Sequence, residues 1–109
     1  EFKSARMFEE ADEKWVATLS KEASALANAE GGQIIIGVQE DRRGKIPVAG
    51  SPDGVPVGRV TRDQLVKKVE GNLFPYVPGI RVQPVVMDSL DGRVVYVLSV
   101  PKGSTAYLT

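Results

Sequence analysis

Apolar residues recur at helical spacing between Asp12 and Glu30, and this pattern predicts an amphipathic helix. The residues that share the apolar face are Trp15, Val16, Leu19, Ala23, Leu26 and Ala27. We expect Asp12 to be the N-cap, because its side chain can accept hydrogen bonds from the free N–H groups of the first turn. We expect Trp15 to anchor the core, since its large ring falls in the middle of this face.

A glycine pair ends this helix and leads directly into an apolar strand. Gly31 and Gly32 can adopt positive φ angles, which close a helix C-terminus without a Cβ penalty. Residues 33–38 are rich in β-branched side chains and predict a buried central strand. Polar residues flank this unit, namely Asn28 and Glu30 before it and Gln39, Glu40 and Asp41 after it.

Turn-forming residues dominate the next segment, and a second helix follows them. Residues 41–60 hold repeated Gly and Pro, so we expect a long loop or a loose hairpin there. Thr61 has the character of an N-cap for a helix that carries Leu65, Val66 and Val69 on one face. Pro75 and Pro78 are expected to end this helix.

The last part of the chain predicts two strands joined by a tight turn. Residues 80–87 alternate, and Pro84 favours an edge strand because it cannot donate a hydrogen bond to a neighbour. Asp91-Gly92 is a strong hairpin signal, and Arg93 to Val100 forms the final strand. With a short first strand around Phe2, the predicted order is β-α-β-α-β-β. This order indicates a single α+β domain with a mixed sheet and two helices on one face.

Composition excludes several classes of catalytic and metal site. The chain has no His and no Cys, which rules out thiolate or imidazole zinc sites, a Ser-His-Asp triad and a Cys-His pair. Any catalysis would use carboxylates, Lys, Tyr or a cation held by oxygen ligands, which favours Mg²⁺- or Mn²⁺-assisted phosphate chemistry. The lack of Cys fits an intracellular protein, and we expect a cytoplasmic location. No apolar run approaches the ~20 residues of a membrane span.

The overall charge is balanced, although cations cluster locally. Fourteen basic and fourteen acidic residues cancel, and the isoelectric point is 6.6. Strong nucleic-acid binders usually carry a basic excess, so binding by this chain should be weak and sensitive to salt. The local clusters are Arg42-Arg43-Lys45 and the group of Arg59, Arg62, Lys67 and Lys68.

Several segments together resemble a known family. They are Glu1-Phe2-Lys3, the stretch SALANAEGG from Ser24 to Gly32, Ile36-Gly37-Val38, and Val100 to Ser104. Their order and spacing resemble the Schlafen-type AlbA-like family of DNA-binding domains, which has also been described as divergent AAA. The resemblance covers nearly all of residues 1–109. It implies an AlbA-like fold and a DNA-binding module cut from a longer protein of the transcriptional-regulator type.

A DNA-binding role leads us to expect one set of phosphate contacts, and the family's motif supplies a second set of residues. For nucleic acid, we expect Lys3, Arg42, Arg43 and Lys102 to contact the phosphate backbone. The backbone and hydroxyl groups of residues 102–105 would add to this surface. Residues expected to shape the family's central block are Asn28, Gly31, Gly32 and Gly37.

A metal-dependent endoribonuclease is the second hypothesis, because Schlafen members of the family cleave RNA with three carboxylates. The catalytic and metal-binding residues would then be Glu1, Glu40 and Asp41, with Mg²⁺ or Mn²⁺ as the cofactor. The family's first Glu lies upstream of this chain, and Glu40 stands where the family has Asp. Both departures weigh against this activity, and we expect no enzyme activity from this fragment.

A nucleotide-binding or assembly domain is the third hypothesis. The chain has no GxxxxGK[ST] loop, and Gly31-Gly32 follows a helix rather than preceding one. We therefore expect no ATP site. An exposed edge at Pro84 could pair between two chains and form a homo-oligomer.

Overall fold

The computed structural model describes residues 1–44, 46–56, 58–73, 79–86 and 92–103. Its elements, in chain order, are β1 (Phe2–Lys3), a 3-10 helix (Ala5–Glu9), α1 (Asp12–Asn28), β2 (Gly32–Ile36), β3 (Val38–Arg43), β4 (Ile46–Pro52), β5 (Val55–Pro56), α2 (Arg62–Glu70), β6 (Arg81–Val86) and β7 (Arg93–Val100). The fold is a single α+β domain with two helices and a mixed sheet, as predicted. The predicted turn at Asp91 and the helix stop at Pro75 and Pro78 lie outside the described residues.

Strand β7 is the centre of a five-stranded sheet. It pairs antiparallel with β2, β5 and β6, while β1 lies parallel to β2. The predicted interior strand is confirmed, because β2 has neighbours on both sides and Ile34 and Ile36 are fully buried. Among the described strands, β6 pairs only with β7, which confirms the edge position predicted from Pro84.

Both helices pack on the face of the sheet that carries the buried side chains. Ile34 lies opposite Leu98, and their side chains join Leu19 of α1 and Leu65 of α2 in one core. All four side chains are completely shielded from solvent, and burying an aliphatic side chain of this size stabilises a fold by about 1.5–3 kcal/mol. Neither helix in the described part of the chain has the length and apolar character that crossing a membrane requires.

The predicted cap of α1 is wrong, whereas the predicted cap of α2 is confirmed. Ala11 is the N-cap of α1 and makes no side-chain hydrogen bond. Asp12 instead accepts a 3.0 Å hydrogen bond from Trp15 Nε1 and forms ion pairs with Arg59 and Lys68. Thr61 accepts from the backbone N–H of Gln64, whose side chain accepts from the Thr61 N–H, so α2 begins with a complete capping box.

Residues 38–52 differ most from the prediction. We predicted a single strand over residues 33–38, but Gly37, with φ +103°, interrupts it, and β2 ends at Ile36. The segment predicted as a long loop or a loose hairpin contains β4, which pairs with β3 in a two-stranded sheet that is separate from the main one. Glu40 and Asp41 therefore lie within a strand rather than in a turn. The segment between β1 and α1 contains the 3-10 helix.

Gly31 lies in the turn between α1 and β2, where backbone atoms leave no room for a side chain. Its N–H donates a 2.7 Å hydrogen bond to the Leu26 carbonyl, which closes the helix, and its φ is +79°. A Cβ at this position would lie 2.7 Å from the Val100 carbonyl oxygen and 2.8 Å from the Lys102 nitrogen. Both neighbours are backbone atoms, so the structure cannot yield by moving a side chain.

We predict that Gly31→Ala lowers the free energy of unfolding by more than about 2 kcal/mol, through left-handed strain and a backbone clash. Gly44→Ala is the matched control, because Gly44 also has positive φ (+69°) but its Cβ would meet nothing within 4 Å. This control should cost only about 1–2 kcal/mol, the strain term. Urea unfolding of the two variants gives the comparison, and equal losses would contradict the proposed clash.

Candidate functional site

Strand β1 places Lys3 beside the middle of helix α1. The Lys3 carbonyl accepts a 2.7 Å hydrogen bond from Gly37 N, and Lys3 lies opposite Ile36. Side chains alternate along a strand, so Lys3 shares the helix-covered face of the sheet with Ile36. Its Nζ atom lies 2.6 Å from Glu22 Oε1 on α1, and both side chains are less than a third exposed.

Three carboxylates surround this ammonium group. Glu22 bonds to it directly, and Glu1 and Glu40 lie close enough to act on it electrostatically. Desolvation lowers the pKa of Lys3, but the hydrogen bond and charge of Glu22, together with the charges of Glu1 and Glu40, outweigh it and raise the pKa. We call Glu1, Lys3, Glu22 and Glu40 the Lys3 cluster. It joins β1, α1 and β3 at one edge of the sheet.

This arrangement disfavours the charged form of Glu22. Burial and the adjacent carboxyl of Glu1 raise the pKa of Glu22, and the nearby cation Lys3 offsets this only in part. The pKa is raised for both partners of the ion pair, which favours the charged form of Lys3 but disfavours the charged form of Glu22. Lys3 is favoured in its charged form because several anions surround it, whereas Glu22 shares one cation with other carboxylates.

The structure brings some of the predicted site residues together and separates others. Glu1 and Glu40 meet at Lys3, as described above. Asp41 lies opposite Val48 in the hairpin, one residue beyond Glu40, and so projects from the other side of strand β3. Asp41 belongs to the same strand as Glu40 but is not among the groups that shift the pKa of Lys3.

The predicted cations are distributed over two ends of the sheet. Lys102 follows Val100, which pairs with Gly32 at the start of β2, whereas Lys3 faces the end of that strand. Lys102 is 62% exposed and lies 3.6 Å from Glu30. Arg43 is exposed at the end of β3, and the side chain of Arg42 lies outside the described part.

Residues 102–105 were predicted to offer backbone N–H groups to a phosphate. The Gly103 N–H instead donates a 2.8 Å hydrogen bond to the Ala27 carbonyl and is therefore already bound within the fold. Ser104 and Thr105 lie outside the described residues.

The glycines of the family block have distinct structural roles. Gly31 closes the helix, and Gly37 separates β2 from β3 with a positive φ. A Cβ on Gly37 would lie 3.3 Å from the Gly54 α-carbon and from the Val94 oxygen, so this position also needs a small residue. Gly32 begins β2 beside Leu26, and Asn28 is the last residue of α1.

The Lys3 cluster does not fit a metal site of the kind the resemblance implies. No group of three or more acidic side chains within the described residues lies close enough together to hold a metal ion. The cation of Lys3 already lies among the carboxylates and forms a direct ion pair with one of them. Oxygen ligands for Mg²⁺ or Mn²⁺ have to converge on the ion itself, and here they converge on an ammonium group.

Glu22 is the member of this cluster that sequence reasoning missed. It follows Leu19 by three residues and precedes Leu26 by four, so it falls on a line of otherwise apolar helix positions. A charged residue in such a line needs a partner when the helix packs on a sheet. That pattern was the available signal, whereas the identity of the partner depends on the parallel pairing of β1 with β2.

The comparison with known families agrees with this architecture. The chain matches the family described as "Schlafen, AlbA_2" over residues 1–109. It belongs to this family. Membership is consistent with a role related to nucleic acids. No curated protein matches the chain.

Because the pKa of Glu22 is raised, the stability that this group contributes is present below its ordinary value of 4.5 and is lost as the pH rises through the folded-state value. We predict that Glu22→Gln removes this pH-dependent loss of stability, because glutamine does not titrate. The free energy of unfolding should then decline less between pH 4 and pH 7 than in the unmodified protein, by roughly 1 kcal/mol or less.

Lys3→Gln is the complementary variant, because it withdraws the cation that holds the pKa of Glu22 down. The free energy of unfolding should therefore fall more steeply between pH 4 and pH 7. Urea unfolding at a series of pH values measures both slopes, and an unchanged slope in Glu22→Gln would refute the assigned electrostatics.

Proposed function

We propose that this chain is a nucleic-acid-binding module of a larger regulatory protein, and that it contacts the phosphate backbone of DNA mainly through the tip of the β3–β4 hairpin. Family membership supports the general role. The observation that carries the proposal is the placement of Arg42 and Arg43 at the end of a two-stranded ribbon that is separate from the main sheet.

The charge along the hairpin changes sign towards its tip. Glu40 and Asp41 lie nearer the main sheet, and residues 42–45 then carry three cations and no anion. Arg43 is exposed to solvent. A two-stranded β-ribbon is narrow enough to approach a nucleic-acid groove, where guanidinium groups can bind phosphate oxygens in a bidentate manner.

The two lysines of the proposed contact set contribute differently. Lys102 is mostly exposed and its ion pair with Glu30 is long, so it remains available to a phosphate. Lys3 is surrounded by three carboxylates, which repel a phosphate that approaches the same place. We therefore assign Lys3 a smaller part in binding than Arg43 or Lys102.

We predict that the double variant Arg42→Gln/Arg43→Gln weakens DNA binding and lowers the slope of log K against log salt by about 2, since each lost phosphate contact removes roughly 0.9. The matched control is Lys14→Gln/Lys21→Gln, which removes two exposed charges from α1. Electrophoretic mobility shifts over a salt series provide the measurement. The control should retain the original slope.

Equal loss in both double variants would show that binding follows net charge alone and would contradict a role for the hairpin. Affinity that does not depend on salt would contradict phosphate-led binding altogether. Circular dichroism melts of each variant test whether the fold survives, and Lys14, Lys21 and Arg43 are all exposed.

The endoribonuclease and the nucleotide-binding domain stay predictions. For the endoribonuclease, RNA cleavage in the presence of Mn²⁺ should be abolished by a Glu40→Ala/Asp41→Ala double variant, and full activity in that variant would remove the predicted site. For a nucleotide-binding domain, stabilisation by ATP and Mg²⁺ in a thermal shift assay is the corresponding measurement.

A further inference from the structure

A groove of about 620 Å³ lies beside strand β6 and is bordered by helix α2; we call it the β6 groove. Val82 of this strand belongs to the core beneath the helices. Its neighbours Arg81 and Gln83 lie on the opposite face of the sheet, because side chains alternate along a strand. Residues of both faces line the groove, so it follows the edge of β6 itself. Among the described strands only β7 pairs with β6, which leaves this edge without a partner strand.

The floor of the β6 groove is apolar. Ile80 and Val82 are buried, and Val66 of α2 is half-buried beside them. The apolar surface continues to the end of the strand, where Val86 lies on the same face as Val82 and is 81% exposed. A ligand that covers this edge would therefore remove apolar surface from water.

The rim of the groove carries an excess of positive charge. Three cations line it, Arg62, Lys67 and Arg81, together with the single anion Asp63. Arg62 is compensated, because its Nε atom lies 3.6 Å from Asp63 Oδ1. Lys67 and Arg81 are exposed, and neither forms an ion pair within the described part of the chain. Two uncompensated cations thus remain, one on α2 and one on β6.

Charge and backbone chemistry argue against a second copy of this chain as the ligand. Strand β6 carries Arg81 and no acidic residue, so pairing two β6 strands would bring like charges together. Pro84 also lacks an N–H group, which interrupts a continuous ladder along this edge. A ligand that complements the groove has to bring negative charge, and side-chain contacts have to supply part of its recognition.

We propose that the β6 groove binds an extended acidic segment of a partner protein. Such a segment can lie along a sheet edge and bond to its backbone, while alternate side chains enter the neighbouring pocket. Here its apolar side chains would cover Val66 and Val82, and its carboxylates would meet Lys67 and Arg81. The volume is within the range of clefts that hold compact ligands, enough for a few residues.

This groove is separate from the surfaces described above. It shares no residue with the hairpin tip, with Lys102 or with the Lys3 cluster. The proposal therefore does not depend on the proposed DNA contacts, and the Arg42→Gln/Arg43→Gln variant should bind an acidic peptide as well as the unmodified chain does.

Fluorescence anisotropy with two labelled hexapeptides tests the proposal on the full chain. One hexapeptide alternates Glu and Val, and the other alternates Lys and Val. The acidic hexapeptide should bind more tightly, and Lys67→Glu/Arg81→Glu should weaken its binding by about tenfold while improving that of the basic one. The matched control is Lys14→Glu/Lys21→Glu, which makes the same change in net charge at exposed positions of α1 and should leave the affinity near its original value.

Nuclear magnetic resonance locates the bound peptide. The amide resonances of β6 and of the first two turns of α2 should shift on addition of the acidic hexapeptide, while those of the hairpin tip stay in place. Thermal melts of both double variants distinguish loss of binding from loss of fold.

Four results would overturn the proposal. They are absence of binding by the acidic hexapeptide, equal affinity for the two hexapeptides, equal losses in the two double variants, and shifts confined to other segments. A dimer of the free chain with β6 amides protected from hydrogen exchange would assign the groove to a second copy instead. Displacement of the acidic hexapeptide from Arg42→Gln/Arg43→Gln by a DNA oligonucleotide would assign its cations to nucleic acid.

Discussion

Backbone packing at the turn between α1 and β2 determines where the rest of the sheet lies. Gly31 approaches the end of β7 so closely that any side chain would collide with the Val100 carbonyl. The same contact sets the pairing in which Gly32 faces Val100 and β2 runs antiparallel to β7. Because β1 adds to the other side of β2, the position of Lys3 also follows from this turn. One small residue thus links the helix end, the central strand and the candidate site.

The parts of the fold that sequence predicted well are those with strong local signals. The capping box at Thr61 and the apolar run from Arg93 to Val100 each specify their own structure without help from distant residues. The hairpin over residues 38–52 was predicted only as one alternative to a long loop and without its strands, because β3 is polar and its partner contains Pro and Gly. A strand of this kind is stabilised by pairing and by its position beside β1, neither of which the local pattern contains.

The same contrast between local signals and distant contacts explains which site residues could be predicted from the sequence. The family pattern identified Glu1, Lys3 and Glu40, since each lies within or next to a recognisable segment. Glu22 remained hidden because its role arises only when β1 pairs with β2 and turns Lys3 towards α1. Contacts between distant segments depend on tertiary structure, and periodicity alone does not encode them.

The balanced charge of the chain conceals two different ways of presenting cations. At the hairpin tip Arg43 is exposed, so its attraction for phosphate is screened within about 8–10 Å at physiological salt. Arg59 is instead held by the Phe8 carbonyl and paired with Asp12. Lys3 belongs to this second class, since Glu1, Glu22 and Glu40 lie around it. A net charge of zero is therefore compatible with phosphate recognition, because recognition depends on where uncompensated cations lie rather than on their total.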